Sequence, residues 1–254
     1  MAAPLARSGP DGPPGGGGDG GWPSLCRLTV PGFAWEFLRR NPDYRAEFAR
    51  GGTPDGAGEA RLSDRWGLRF PVDPALPAAR AEVFWREDVA PGLVIRMIAD
   101  AAGQGRPARA PQVPGRPRRD EDGLHLRLAA GLQLLLRGEA RPDGPVLVVL
   151  SFDQDFGLRV RAVEALQRMA TGRGQPRSRL TSAQRTRLAR SLVALDGALR
   201  EDSYRDIART IFGAEALERE DWRTASVRDV TIRLVRTGKG LMRGGYLKLL
   251  RLGL

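Results

Sequence analysis

Three times in the last third of the chain, a hydroxyl residue stands three places before a side chain that can reach back to it. These are Thr181-x-x-Gln184, Ser203-x-x-Asp206 and Ser226-x-x-Asp229. Such a pair satisfies N–H groups that an α-helix leaves open at its start. Apolar residues at steps of three and four accompany each pair, the pattern of one buried helical face. They are Leu188, Leu192, Leu195 and Leu199 with the first, Tyr204, Ile207, Ala208 and Ile211 with the second, and Val227, Val230, Thr231 and Leu234 with the third. The pattern predicts three successive helices, the middle one short and ended by Gly213, the last over about 225–237. The small residue of the Ile207-Ala208 pair lets a neighbouring helix cross closely, as in a helix-turn-helix. The connection from Gly213 to Ala225 is longer than that motif's usual turn, and Trp222 within it is expected to plug the core.

Upstream, the chain is punctuated by Gly/Pro-rich stretches. Residues 1–24 are low-complexity and expected to be disordered; 102–120 read as a flexible linker and 173–179 as a second one. Between the first two, 25–101 form an N-terminal module. It has two short helices, 32–40 and 42–50, with Pro42 at a helix start and Gly51 after the end. A loop and the extended "LSDRWGLRFPVDP" follow, and "AEVFWRE" and "LVIRMIA" read as strands. Trp35, Trp66, Trp85 and Trp222 are expected core anchors. In "DGLHLRLAAGLQLLLRG", Leu124, Leu126 and Leu128 alternate with His125 and Arg127; "AAG" turns the chain and "LQLLLR" returns, a β-hairpin. "VLVVLSF", 146–152, reads as a buried strand. Asp153 and Asp155 are expected to cap a helix from 157, with Val160, Val163, Leu166 and Met169 on one side. The whole is an α+β chain: a small helical and extended module, a strand-rich middle over 121–152, and a helix-turn-helix with a wing-like end over 181–252 inside a domain spanning 121–254.

Composition narrows the function. The formal net charge is +11, and only two of the 41 basic residues are lysine. A GC-rich genome would favour arginine by itself, so the distribution is more telling than the total. Arg223–Leu254 holds eight basic residues against Asp229 alone, and Gly157–Arg190 holds nine against Glu164. Two such runs in the C-terminal half point to a polyanionic partner. One cysteine, Cys26, permits no disulfide within the chain, and one histidine, His125, permits no multi-histidine metal centre. His125 is read as an exposed or sheet-packing residue and Cys26 as an incidental thiol. No cofactor, metal or catalytic residue is expected, and the protein reads as bacterial, cytoplasmic and not an enzyme, with no membrane span.

The closing stretch "TGKGLMRGGYLKLLR" raises the choice between a phosphate-cradling loop and a surface that lies on a polynucleotide. A P-loop needs a strand before G-x-x-x-x-G-K-[ST] and a helix after it. Here a helix precedes, Gly240 follows Lys239, and arginine occupies position 243. The expectation is a helix ending at Gly238, turns at Lys239–Arg243 and Gly244-Gly245, and a return of "YLKLLR" into the core, as in a wing-like turn. On the preceding helix, 100° steps turn Val227, Val230, Thr231 and Leu234 inward and Arg228, Asp229, Ile232, Arg233 and Arg236 outward. Outward arginines can reach phosphates and guanine edges.

The residues "LDGALREDSYRDIARTIFG", "W" and "SVRDVTIRLVRTGKGLMRGGYLKLLR" resemble the C-terminal DNA-binding domain of RovC-like transcription factors, activators of type VI secretion genes, over about 120–252. Similar domains occur in FseA-type activators of integrative-element excision. "PGFAWEFLRRNPDYRAEF" and "WGLRFPVDPALPAARAEVFWRE" resemble the transcriptional-regulator-like domain often fused upstream, over about 25–100. The resemblance implies a DNA-binding transcriptional activator. The expected contacts are Thr224, Ser226, Arg228, Thr231, Ile232, Arg233, Arg236, Lys239, Arg243, Tyr246 and Lys248. Expected partners are duplex DNA, RNA polymerase or a regulatory protein, and a second copy of the chain as a homo-oligomer. The alternatives are an adaptor or anti-activator that binds another regulator through the same fold, and a single-strand or RNA binder using an exposed aromatic.

Overall fold

The computed structural model describes residues 22–51, 64–100, 116–174, 178–218, 222 and 226–252. The expectations for most of the N-terminal tail, the loop after Gly51, and the centre of each proposed linker lie outside these residues. The chain is α+β and divides into two compact units. Among the described residues, one is helical, built from Trp22–Cys26 and from Thr186–Lys239; the other holds Arg27–Arg185 and Gly240–Leu252.

The larger unit is built around helix α2 (Val30–Leu38), which follows the single-turn α1 (Trp22–Leu25) of the helical unit. Thr29 caps α2 by accepting from Gly32 N–H. Burial covers every side of this helix, from Val30 and Phe33 through Leu38, with Glu36 inside as well. An all-round buried helix is a core element. Asn41 caps α3 (Pro42–Arg50), accepting from the N–H groups of Asp43 and Tyr44, with Pro42 opening the helix. Tyr44 Oη donates to Val72 O at 2.5 Å and Trp35 Nε1 to Leu76 O at 2.9 Å, so the Pro-rich segment is strapped to both helices. Glu36 takes charge-assisted contacts from Arg40 at 2.5 Å and Arg39 at 3.4 Å while accepting Ala78 N–H at 2.7 Å.

Five strands form one sheet in the order β2-β3-β4-β1-β5: β1 Val94–Ala99, β2 Arg118–Asp120, β3 Gly123–Arg127, β4 Gln133–Arg137 and β5 Val146–Val149. β1 and β4 are parallel and every other pair is antiparallel. The expected hairpin is β3–β4. Its tight turn, Ala129–Gly131, places Ala130 at φ 60 and Gly131 at φ 87. Gly123 is required at its position: at φ +142 a Cβ would lie 2.1 Å from Leu136 O. One sheet face, with Ile95, Met97, Leu126, Leu134 and Leu136, packs on Ala162 and Leu166 of α4 (Phe156–Ala170). The other carries the cross-strand row Arg118, His125, Leu135, Arg96.

Several sequence expectations change here. The boundary at 102–120 is not a boundary of the fold, because β1 lies between β4 and β5 and the linker's last residues are β2. "AEVFWRE" is extended but, among the described residues, makes only the bridge Leu68↔Trp85. Its backbone is satisfied partly by a side chain: Gln133 Oε1 accepts Trp85 N–H at 3.0 Å and Gln133 Nε2 donates to Val83 O at 3.1 Å. β5 is an edge strand, with Leu147 and Val148 exposed, not a buried one. Asp153 and Asp155 do not cap α4 with their side chains; Asp153 pairs with Arg159 at 2.9 Å and Asp155 with Arg251.

His125 is buried and edge-on to Phe70 and Phe84. Its Nε2 lies 3.0 Å from Asp120 Oδ1. Burial lowers the imidazole pKa, and the Asp120 contact only partly opposes this. Burial works against ionisation of Asp120 too, but hydrogen bonds from Arg69 and His125 outweigh it and hold the carboxyl below its usual range. The native state therefore favours neutral imidazole. Above the ordinary value of 6.5 this contribution is fully present. As pH falls below it, the unfolded chain takes up a proton that the native state resists, and stability declines. A second loss, from Asp120, follows below 3.8. His125 is the chain's only histidine, so thermal melts between pH 5 and 7.5 are diagnostic. Wild type should lose melting temperature below about pH 6.5, and His125→Gln should be flat through the same interval.

Candidate nucleic-acid interface

The helical unit contains α5 (Ser182–Leu199) from Thr186 onward, α6 (Tyr204–Phe212), α7 (Glu215–Glu218) and α8 (Ser226–Gly240) up to Lys239. Two of the three predicted capping pairs are formed. Thr181 N–H donates to Gln184 Oε1 at 2.8 Å while Gln184 N–H donates to Thr181 Oγ1 at 3.2 Å, a reciprocal box. Ser203 Oγ accepts Asp206 N–H at 3.2 Å. Gly213 ends α6 with φ 85. Ala194 of α5, Ile207 and Ile211 of α6, and Leu234 and Val235 of α8 close into one core. Trp22 also takes part: Arg190 stacks over its ring at 4.8 Å and over Phe212 at 5.1 Å. Residues 22–24 are therefore ordered, where the sequence suggested a tail.

On α8 the helical phase separates two faces. Thr231, Leu234, Val235 and Gly238 are buried. Arg228, Asp229, Arg233 and Arg236 are exposed and Ile232 is half-buried. Gly238 lies at the crossing with α5, where a Cβ would sit 2.6 Å from Ser191 O. The sequence reading placed the helix end there. The buried series 231, 234, 235, 238 continues the stripe by steps of three and four, which is the signal that the helix runs on.

The exposed arginines are weakly neutralised. Arg228 lies 3.7 Å from Asp229, and Arg233 Nε donates to the backbone O of Asp229 at 3.3 Å. Arg236 makes no ion pair among the described residues. The larger unit is the opposite case: Arg69 pairs with Asp120 and Asp122, Arg86 with Asp64 and Asp88, and Arg96 with Glu87. The exposed face of α8 thus presents positive charge that the carboxylates of the described residues do not neutralise, beyond the Arg228–Asp229 contact. Ser226 is exposed at its N-terminus and Lys239 half-buried near its end.

Two expected contact residues are inside. Thr231 is fully buried and donates to Val227 O at 2.8 Å. Tyr246 is buried in the larger unit and donates to Trp66 O at 2.9 Å; its hydroxyl anchors the C-terminal segment. Thr224 lies outside the described residues. The wing-like return is absent among the described residues. Leu241–Gly245 form a π-type turn with Gly244 at φ 113, and α9 (Tyr246–Leu250) is helical. Glycine is needed at Gly244, since other residues rarely adopt that backbone. Asn41 Nδ2 donates to Met242 O at 3.0 Å, fastening this turn to the junction of α2 and α3. Arg243 and Lys248 are exposed on this segment. His, Cys, Asp and Glu form no metal-binding cluster among the described residues, and no described helix is long and apolar enough to cross a membrane.

Comparison with known families gives two matches. Residues 149–251 match the T6SS transcription factor, DNA-binding domain family, covering α4 through α9. Residues 24–71 match the proteobacterial transcriptional regulator-like domain, covering α2 and α3 and ending just before the strap that packs on them. A search of curated proteins found no significant match. With a regulator-like domain followed by a transcription-factor DNA-binding domain, the chain is a DNA-binding transcriptional regulator.

Proposed function

We propose that the protein reads duplex DNA with α8, in the manner of a helix-turn-helix, and acts as a transcriptional activator in the cytoplasm. The observation that carries this is the α8 face, where Arg228, Arg233 and Arg236 are exposed and, among the described residues, opposed only by Asp229. α5, α6 and α8 share one core, so the exposed side of α8 is held on a rigid support. Arg233 and Arg236 are assigned to base edges and phosphates, Ile232 to a thymine methyl, and Ser226 and Arg228 to the backbone. Lys239, Arg243 and Lys248 are assigned to phosphates. An activator also needs a second contact, with RNA polymerase or another regulator, and pairing of two chains would match a two-fold operator.

Binding to DNA should fall steeply with salt. A site neutralising about five phosphates gives a log–log slope of roughly −4 to −5. The measurement is a titration of the full chain against duplex DNA at several salt concentrations. The full chain is required, because a fragment beginning at 120 would lose β1 from inside the sheet. A flat response would reject this reading and favour an adaptor that binds another regulator.

A further inference from the structure

The sheet of the larger unit has two edges, and they are built differently. β2 forms one of them with three charged residues, Arg118, Arg119 and Asp120. A short, charged edge is protected against pairing with another chain. β5 forms the other edge. From Val146 to Phe152 the sequence has no charged residue, no glycine and no proline. Leu147 is 48% exposed, Val148 38% and, three residues past the strand, Phe152 91%. Ile98, opposite Leu147 on β1, is exposed as well.

The backbone of β5 faces two ways. Asp100 N–H donates to Pro145 O at 3.0 Å at one end of the antiparallel ladder with β1. Bonded pairs recur at every second residue of such a ladder, so the next ones are Ile98 with Leu147 and Arg96 with Val149. The N–H and C=O groups of Val146 and Val148 therefore point away from β1. Among the described residues no segment pairs with that side. The longer stretches outside the described residues, 1–21, 52–63 and 101–115, each contain proline and several glycines. Proline cannot donate to a ladder, and glycine weakens one.

The strand is, in contrast, complementary to itself. Turned about a two-fold axis, Val146–Val149 meets only valine and leucine. Like charges directly opposite one another are destabilising, and in a chain of net charge +11 this edge brings none together. A contact of one patch with its own copy closes at two chains. We infer that β5 pairs antiparallel with β5 of a second copy, joining the two sheets across a two-fold axis. This gives the pairing of chains in the proposed function a surface, and its use on a two-fold operator rests on that reading.

The test is sedimentation velocity of the full chain, without DNA, over a series of concentrations. A ladder of this length is at the small end of stable interfaces, so wild type should pass from monomer to dimer as concentration rises. Val148→Lys sets two like charges beside the axis. Val148→Pro removes an N–H that points away from β1, so the sheet keeps its own bonds. Each change enters the interface twice and should weaken association about tenfold or more. Val148→Glu should be monomeric as well, and an equimolar mixture with Val148→Lys should regain the dimer, which a folding defect would not do. The double substitution Arg233→Ala with Arg236→Ala should leave association unchanged, so failure of pairing and failure of DNA reading are separable. The proposal is overturned if wild type stays monomeric, the outcome expected where the chain covers its own edge. It is equally overturned if Val148→Lys and Val148→Pro associate like wild type, if the charge-reversed mixture stays monomeric, or if the double arginine variant loses the dimer.

Discussion

Replacing Glu36 by alanine should destabilise the protein by about 3–5 kcal/mol, the usual cost of removing one partner from a buried ion pair. Glu36, Arg39 and Arg40 are 5%, 5% and 6% exposed. The carboxylate is shared: Oε2 meets Arg40 at 2.5 Å and Arg39 at 3.4 Å, and Oε1 accepts the N–H of Ala78 at 2.7 Å. Its loss leaves two buried guanidiniums without their common counter-charge and one backbone N–H without an acceptor. Arg39 would keep its bonds to Leu76 O and Ala75 O, which hold the strap, so the damage should be thermodynamic before it is topological. Glu36→Gln separates the two contributions. The amide oxygen can still accept from Ala78, so that variant should cost less than alanine while still losing the charge pairing. Urea unfolding of the full chain measures both. A loss below about 1 kcal/mol for Glu36→Ala, the range of an exposed ion pair, would mean that water replaces the carboxylate and that the trio is not a buried network.

The arginines of Glu36's network show where sequence reading reaches its limit. "EFLRR" places two arginines just past an apolar helix, and a solvated helix end is the ordinary meaning of that spelling. Only the fold shows that Pro-rich residues 72–78 wrap back over them. The hairpin, by contrast, was legible because its information is local: leucines alternating on one strand, a glycine-containing turn, and leucines returning. The capping pairs at Thr181 and Ser203 were legible for the same reason. "AEVFWRE" carries a strand's residues, yet the side chain of Gln133, nearly fifty residues away, takes the place of a neighbouring strand. No local pattern announces that substitution. The place of β1 between β4 and β5 is equally non-local, and a Gly/Pro-rich stretch that looks like a domain boundary is here a connection within one sheet. At the proposed interface the phase of α8 was legible, so the exposed arginines were assigned correctly to their side. Thr231 was included among the contacts although its phase points inward. Tyr246 stands among the expected DNA contacts because nothing in "GGYLKLL" encodes the distant Trp66 carbonyl that its hydroxyl meets.

The double substitution Arg233→Ala with Arg236→Ala should weaken binding to a specific duplex by several kcal/mol, from about 1–3 kcal/mol for each arginine that contacts a base. If one of the two touches only phosphate, its removal should weaken all sequences alike and make the salt slope shallower by about one unit. Binding to matched and scrambled duplexes distinguishes those roles. The fold should be unaffected, since both side chains are exposed and substitutions at such positions usually shift stability by no more than about 0.5 kcal/mol. Leu234→Ala supplies the contrast from the same helix. It truncates a side chain that packs with Ile207 and Ile211 and should cost about 2–5 kcal/mol of stability. Any loss of DNA binding should then track the unfolded fraction and recover on cooling. The two variants thus move different quantities: affinity without melting temperature for the arginines, melting temperature first for the leucine. Wild-type affinity of the double arginine variant on both duplexes would exclude α8 as the reading helix and return its charged face to the role of a solvated surface.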